Sequence, residues 1–298
     1  QSPADYYSYS RTSEFTYRAD GQLETETVEP KQVGLCVVTT HHYDGWGNKK
    51  DSTAANCPGA TGEAVFVSRT TTQAFDRATM PTMTLGGRVV TLQKGQFPLD
   101  VTNAIGQTQK QEFDPRFAVA TKVTDANLLN TTASYDELGR KVLEVRPDGT
   151  KTRWRYCILS NKGLDQSGNS ADCVNPDTAP ADAIQYTQSW PETSAGLKMG
   201  PYTLSYVDRL GRTLRTAVES FDGVDQPANL RGALLVKDTV YNALGVKVLE
   251  TQPYWAVTGS STTTGSNNVG VTRYVVDALG RPTTVYVADN QASDQTTK

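Results

Sequence analysis

The sequence lacks the patterns that mark most enzymes. Its 298 residues include only two histidines, His41 and His42, and because they are adjacent, a strand would point their side chains to opposite faces. No Gly-x-Ser-x-Gly elbow, Walker loop, His-Glu-x-x-His or Gly-x-Gly-x-x-Gly motif occurs. We therefore expect a chain that is not an enzyme and that needs no cofactor. Two carboxylates that meet only in the folded chain remain an open alternative.

Long apolar runs and net charge are lacking as well. Runs such as residues 64–67 and 233–236 are too short for a membrane-spanning helix or for the core of a signal peptide. The 29 lysines and arginines nearly balance the 32 aspartates and glutamates, which leaves a net charge of −3. Because no basic field is available to hold a polyanion, we expect neither nucleic-acid binding nor membrane insertion.

Cysteine is scarce, with four residues, and none of them forms a Cys-x-x-Cys pair. This spacing disfavours a zinc site, and we expect no metal. The cysteines fall into two close pairs, each flanking an irregular polar stretch, and a disulfide in each pair would stabilise the fold by about 3 kcal/mol. Four buried free thiols are the alternative. The predicted disulfides join Cys36 to Cys57 and Cys157 to Cys173.

Strand and turn formers, in contrast, are plentiful. The chain has 40 threonines and 14 tyrosines, together with 24 glycines and 14 prolines, a mixture that favours short strands and many turns. We predict an all-β fold. Alternation over residues 14–27 extends this prediction to the N-terminal part, where no clear repeat is visible.

One short pattern, Asp or Asn, any residue, a large apolar residue, then Gly, recurs six times. Three of the five intervals between the glycines are 33, 34 and 35 residues, and the other two, 59 and 72, are close to doubled units. The copies begin at Asp44, Asn103, Asp136, Asp208, Asn242 and Asp277, and they end at Gly47, Gly106, Gly139, Gly211, Gly245 and Gly280.

The residue types of this pattern have a physical reason. An Asp or Asn side chain accepts from the backbone N–H two residues on, and a glycine supplies positive φ, so each copy predicts a tight turn between strands. The apolar third residue is expected to fold back onto the sheet. Tyrosine precedes the turn, and arginine follows it, at several copies: Tyr43, Tyr135 and Tyr241, and Arg140, Arg212 and Arg281.

These units resemble the RHS/YD-repeat proteins of bacteria. The likeness covers about residues 40–290 and includes the Pro147-Asp148-Gly149 turn, Phe221-Asp222-Gly223, and Gln252-Pro253-Tyr254-Trp255. The resemblance implies a ribbon of antiparallel β-hairpins that spirals as part of a shell or an extended repeat array, and secretion from a bacterium. In polymorphic and Tc-type toxins such a shell encloses a toxin domain. We expect degenerate β repeats over residues 1–100, continuous with a YD-repeat ribbon over residues 101–298.

Two functions are compatible with these observations. The first is a structural scaffold, a segment of a shell that encloses or displays a toxin or effector domain, with further β structure of the same polypeptide or of neighbouring copies as its partner. The second is a module that binds cell-surface glycans or adheres through exposed aromatic side chains. The candidate ligand-binding residues are Trp154, Trp190, Tyr254 and Trp255.

Overall fold

The all-β prediction is confirmed by the structure, a computed structural model that describes residues 10–61, 65–160, 164, 169, 173, 179–219, 234–256, 269–288 and 294–297. These residues contain 22 strands and no α-helix. No helix long and apolar enough to span a membrane occurs in this part of the chain. The Phe221-Asp222-Gly223 motif lies outside the described residues.

The chain divides into two compact units, Gln1–Thr132 and Ala133–Lys298. We call them the N-terminal and the C-terminal unit. The strands that begin in the N-terminal unit are β1 (Ser13–Tyr17), β2 (Leu23–Val28), β3 (Val37–Tyr43), β4 (Lys49–Asn56), β5 (Arg69–Ala74), β6 (Thr82–Leu85), β7 (Arg88–Thr91), β8 (Asp100–Thr102), β9 (Thr108–Asp114), β10 (Val119–Thr124) and β11 (Asn130–Tyr135), the last of which crosses the boundary.

The C-terminal unit contains the remaining strands, which have three to eight residues each. They are β12 (Lys141–Val145), β13 (Lys151–Ile158), β14 (Gln185–Glu192), β15 (Thr203–Val207), β16 (Thr213–Glu219), β17 (Leu234–Tyr241), β18 (Lys247–Thr251), β19 (Tyr254–Ala256), β20 (Val271–Val276), β21 (Pro282–Ala288) and β22 (Asp294–Thr297).

Strand pairing is antiparallel throughout and follows the order of the chain. In the N-terminal unit each strand pairs with the next, except that the β6–β7 hairpin is inserted between β5 and β8, which pair directly. In the C-terminal unit β19 departs from this order, because it pairs with β17, which also pairs with β18, and β18 pairs directly with β20. The result is a ribbon of hairpins, as the repeat pattern predicts.

Each unit has its own buried apolar cluster. In the C-terminal unit the cluster lies on one face of β13 to β17 and includes Tyr186, Leu204, Tyr206 and Val236. Strand alternation explains it, because every second residue of β17, from Leu234 to Asp238, is buried. In the N-terminal unit a smaller cluster surrounds Leu99, and the rings of Phe97 and Phe113 stack at a centroid distance of 4.7 Å.

Candidate functional site

The repeated turn is built around its first side chain. At Asp208 one carboxylate oxygen, Oδ1, accepts from the backbone N–H groups of Leu210 and Arg212, both at 2.9 Å, and Oδ2 accepts from Arg212 Nε at 2.7 Å. Burial alone would raise the pKa of Asp208, but the hydrogen bonds from Arg212 and the backbone hold it below its ordinary value. The carboxylate is therefore charged and satisfied by its own turn.

All six predicted turns share this geometry. In each, the N–H of the first residue donates to the carbonyl of the fifth, and the glycine N–H donates to the carbonyl of the first. The glycines have φ between 75° and 85°, which confirms the prediction of positive φ. This is a type I turn followed by a left-handed residue, a common connection for antiparallel hairpins.

Among the described residues, four further turns have the same two backbone hydrogen bonds, and they begin at Arg18, Asp125, Arg146 and Thr193. The Asp125 turn holds Leu128 at φ 64° in the glycine position, so the glycine-based pattern did not find it. The signal that remains is Asp125 itself, which caps the turn from Oδ1. The repeat is therefore denser than its six clearest copies.

The expectation that the apolar third residue folds back onto the sheet is wrong. These side chains are 57% to 78% exposed: Trp46, Ile105, Leu138, Leu210, Leu244 and Leu279. The reason is geometric, because the third residue lies at the tip of the loop, beyond the last strand pair. Trp46 finds partial cover at Gly95, where an added Cβ would lie 2.5 Å from the indole Cγ.

Tyrosines at or near the strand ends connect neighbouring hairpins. Tyr241 donates its hydroxyl to the carbonyl oxygen of Thr213, at 3.2 Å, and its ring lies 4.8 Å from the guanidinium carbon of Arg212. Tyr156 contacts Lys141 and Arg140 in the same way, at 3.0 and 4.5 Å. In this arrangement the tyrosine hydroxyl donates to the carbonyl that follows the previous turn, and the tyrosine ring lies against the arginine of that turn. We call it the inter-turn contact.

The inter-turn contact also occurs in the N-terminal unit. Tyr43 donates to the carbonyl of Leu23 at 2.8 Å, and Arg18 lies 5.5 Å from its ring. In all three cases the acceptor is the residue that directly follows the five-residue turn. Of the other motif residues, Tyr135 is half-buried at the end of β11, and Arg281 pairs with Asp277 in its own turn.

The two predicted disulfides are present. Cys36 and Cys57 have Cα atoms 5.4 Å apart, and Cys157 and Cys173 are separated by 5.6 Å. Cys157 belongs to the apolar cluster of the C-terminal unit, so its disulfide ties residue 173 to the covered face of the sheet.

A cavity of about 270 Å³ lies in the C-terminal unit beside the Asp208 turn, and the buried ion pair of Arg215 and Asp238 forms part of its lining. Arg215 donates Nε and Nη2 to the two carboxylate oxygens of Asp238, and the Tyr254 hydroxyl donates to Asp238 Oδ2 at 2.6 Å. Burial and Asp238 raise the pKa of Tyr254 above its ordinary value. Arg215, Asp238 and Tyr254 satisfy one another, which suits a structural network better than a proton-transfer site.

The four candidate ligand-binding aromatics do not form one face. Trp190 and Tyr254 lie on the face of the apolar cluster, whereas Trp154 and Trp255 lie on the opposite face, as the strand registers require. Only Trp255, at 41%, is exposed. Trp190 is occupied, since its Nε1 donates to Glu192 at 2.9 Å and Arg155 lies 5.2 Å from its ring.

The histidines are engaged in cross-strand pairs between β3 and β4. His41 Nδ1 lies 2.8 Å from Ser52 Oγ, and His42 Nδ1 lies 2.6 Å from Asp51 Oδ1. Burial and the nearby Lys49 lower the pKa of His41, so its ring is neutral near pH 7. Within the described residues no three His, Cys, Asp or Glu side chains are placed to hold a metal ion.

Comparison with known proteins gives structural similarity without a family assignment. The chain matches no family model and no curated protein. It is similar to the crystal structure of TcdB2-TccC3, with a TM-score of 0.40 and 12% identity over 93% of this chain and 19% of that one. It is also similar to TcdB2-TccC3 without its hypervariable C-terminal region, with a TM-score of 0.40 and 12% identity over 92% of this chain and 21% of that one. A porin-like protein from Bacteroides uniformis has a TM-score of 0.19 and 10% identity, over 92% of both chains. The chain thus spans about a fifth of the length of the TcdB2-TccC3 structures.

Proposed function

We propose that this chain is a structural repeat scaffold, a segment of a secreted RHS/YD-type β-shell that encloses or displays a toxin or effector domain or assembles with further copies. The observation that carries the proposal is the inter-turn contact. Three tyrosines each hold one hairpin to the next through a hydroxyl hydrogen bond and a ring contact: Tyr43, Tyr156 and Tyr241. A residue used in this way in several units serves the extension of a ribbon.

Two further observations support the scaffold. The disulfides suit an oxidising compartment and therefore an extracellular location. Two carboxylates that line the 270 Å³ cavity are satisfied by structural partners, Asp208 by Arg212 and Asp238 by Arg215. A scaffold without catalytic activity accounts for this pattern.

Small-angle scattering of the purified chain tests the proposal. A compact domain of this length has a radius of gyration of about 19 Å. A ribbon that forms the wall of a shell is one sheet thick over much of its length, so we expect a clearly larger value. A radius of gyration near that of a compact domain would overturn the scaffold proposal. Limited proteolysis of the natural polypeptide is a second test, in which an enclosed neighbouring domain is expected to resist cleavage until the ribbon unfolds.

The alternative, a glycan-binding or adhesive surface, has one observation in its favour, the exposed indole of Trp255. A glycan array compares the chain with two variants. Binding that is lost in Trp255→Ala and retained in Trp190→Ala would favour the alternative, and the absence of binding by the unmodified chain would remove it.

A further inference from the structure

The cavity beside the Asp208 turn has a size and a position that suit a small ligand. It lies on the face of the apolar cluster, because Asp238 shares one face of β17 with Leu234 and Val236. Its volume of about 270 Å³ is just below the roughly 300–1,000 Å³ of sites for drug-sized molecules. The cavity therefore suits a ligand smaller than a typical drug molecule.

The lining of this cavity carries charge of both signs. Asp208 and Arg212 form one ion pair, and Asp238 and Arg215 form another. A cation in the cavity would lie near two guanidinium groups, and an anion would lie near their carboxylate partners. Asp182 adds one exposed carboxylate, whose attraction for a cation is weakened by solvent. Because a charge beside its own sign is costly out of water, the lining favours a ligand without net charge.

Three groups of the lining keep hydrogen-bonding capacity. No described residue donates to the carboxylate of Asp182. Arg212 uses Nε and Nη2 on Asp208, and its Nη1 has no acceptor among the described residues. In this part of the chain Asp238 Oδ1 accepts from Arg215 Nε alone, although a carboxylate oxygen has two lone pairs. The lining thus offers acceptors and a donor that its own structure does not use.

The remaining contacts that the cavity offers are mostly apolar. Pro180, Leu214 and Val240 line it together with the charged groups. Carbon-bound hydrogens pack against such side chains. A hydroxyl group both donates and accepts, so it can bind a carboxylate and a guanidinium without carrying charge. A small ring that bears several hydroxyl groups combines both kinds of contact in one neutral molecule.

We propose that this cavity binds a neutral, polyhydroxylated ring, that is, a single sugar unit. Its hydroxyl groups would donate to Asp182 and Asp238 and accept from Arg212. Its C–H groups would pack on Leu214 and Val240. A free monosaccharide and the terminal residue of a glycan present the same chemistry to the site. The inference goes beyond the scaffold function and does not depend on it, because one segment of a scaffold can carry a ligand site.

Isothermal titration of the purified chain tests the chemistry of the ligand. The probes are the methyl glycosides of glucose, galactose and mannose, each beside its 2-amino and its uronic acid derivative. We expect at least one neutral glycoside to bind at millimolar concentration, and to bind more tightly than its two charged derivatives. No binding by any neutral glycoside, or tighter binding of a charged derivative, would overturn the proposal.

The source of the sugar is distinguished by a second arm. The same sugars are immobilised as terminal residues of oligosaccharides, and the chain is passed over them. Binding to both forms supports the proposal with a glycan as the source, and binding to the methyl glycoside alone supports it with a free monosaccharide.

Variants test whether the sugar lies in the cavity. Asp182→Ala removes an acceptor that no described residue uses, so it should weaken binding by about tenfold and leave the melting temperature unchanged. Glu137→Ala removes an exposed carboxylate elsewhere in the C-terminal unit, and Trp255→Ala removes the exposed indole on the opposite face of the sheet. Both controls should leave binding unchanged. Binding that Asp182→Ala does not weaken, or that Trp255→Ala abolishes, would place the sugar outside the cavity and overturn the proposal.

Discussion

Removing one hydroxyl from an inter-turn contact should measurably destabilise the C-terminal unit. In Tyr241→Phe the ring stays against Arg212, and only the hydrogen bond to the Thr213 carbonyl is lost. A hydrogen bond of this kind contributes about 0.5–1.5 kcal/mol net. Tyr241→Leu also removes the cation–π contact, worth about 0.5–1 kcal/mol at a partly exposed site. We therefore expect a loss of about 1 kcal/mol for the first variant and of about 2 kcal/mol for the second.

The matched control is Tyr286→Phe, since Tyr286 is also half-buried on a strand of the same unit and no described residue binds its hydroxyl. Its stability should change by less than about 0.5 kcal/mol. Urea unfolding followed by far-ultraviolet circular dichroism, with the disulfides intact, gives the free energies. For a unit of this size 1 kcal/mol corresponds to a shift in melting temperature of about 2–4 °C. Equal stability of Tyr241→Phe and Tyr286→Phe would refute the contact as a source of stability.

Three other perturbations probe the turns and the disulfides. Gly211→Ala should destabilise the protein by about 1 kcal/mol from backbone strain alone, since φ is 75° and nothing lies within 4 Å of an added Cβ. Gly280→Ala should destabilise it more, because that Cβ would meet Val246 Cγ2 at 2.9 Å. Equal losses of unfolding free energy in urea would contradict this difference. Protein isolated without reductant should contain no titratable thiol, and opening Cys157–Cys173 should cost about 3 kcal/mol; four free thiols before reduction would disprove the pairing. Hydrogen bonds lower the folded-state pKa of Asp136 and Asp208, so the stability they contribute is present above the unfolded pKa of 3.8 and is lost as the pH falls below it. Asp208→Asn keeps the turn, as Asn242 does, and should therefore make the free energy of unfolding fall less steeply with decreasing pH. An unchanged pH dependence would speak against the pairing of Asp208 with Arg212.

The local features of the fold could be predicted from the sequence because single residues determine them. Asp136 and Gly139 specify a turn by their own chemistry, and the cysteine spacing favoured the two disulfides that the structure contains. Features that depend on a neighbouring strand were missed. The inter-turn contact of Arg212 with Tyr241 becomes visible only when β16 and β17 are paired. The turn at Asp125 was missed because the pattern requires glycine where φ is positive, and at this turn that position is held by Leu128, with φ 64°.

The same missing information explains the error at the turn tips. An apolar side chain in a tight turn is expected to fold back onto the sheet and leave the water, and Leu210 is such a residue. In the structure it stands at the apex of the loop and is 76% exposed. Placing it correctly requires the hydrogen bonds from Asp208 to Arg212, which end the strand pair two residues earlier.

The turn motif therefore performs two separable tasks, and the copies differ in the second. Asp or Asn with Gly closes a hairpin in every copy, which needs no neighbour. Tyrosine and arginine connect one hairpin to the next, and they are replaced where the connection is made differently. At the Asn242 turn the fifth residue is Val246 instead of arginine, and its Cγ2 approaches Gly280 of the following turn. Because Val246 lies this close, the tolerance of Gly280 to a side chain depends on which residue the preceding turn carries in its fifth position.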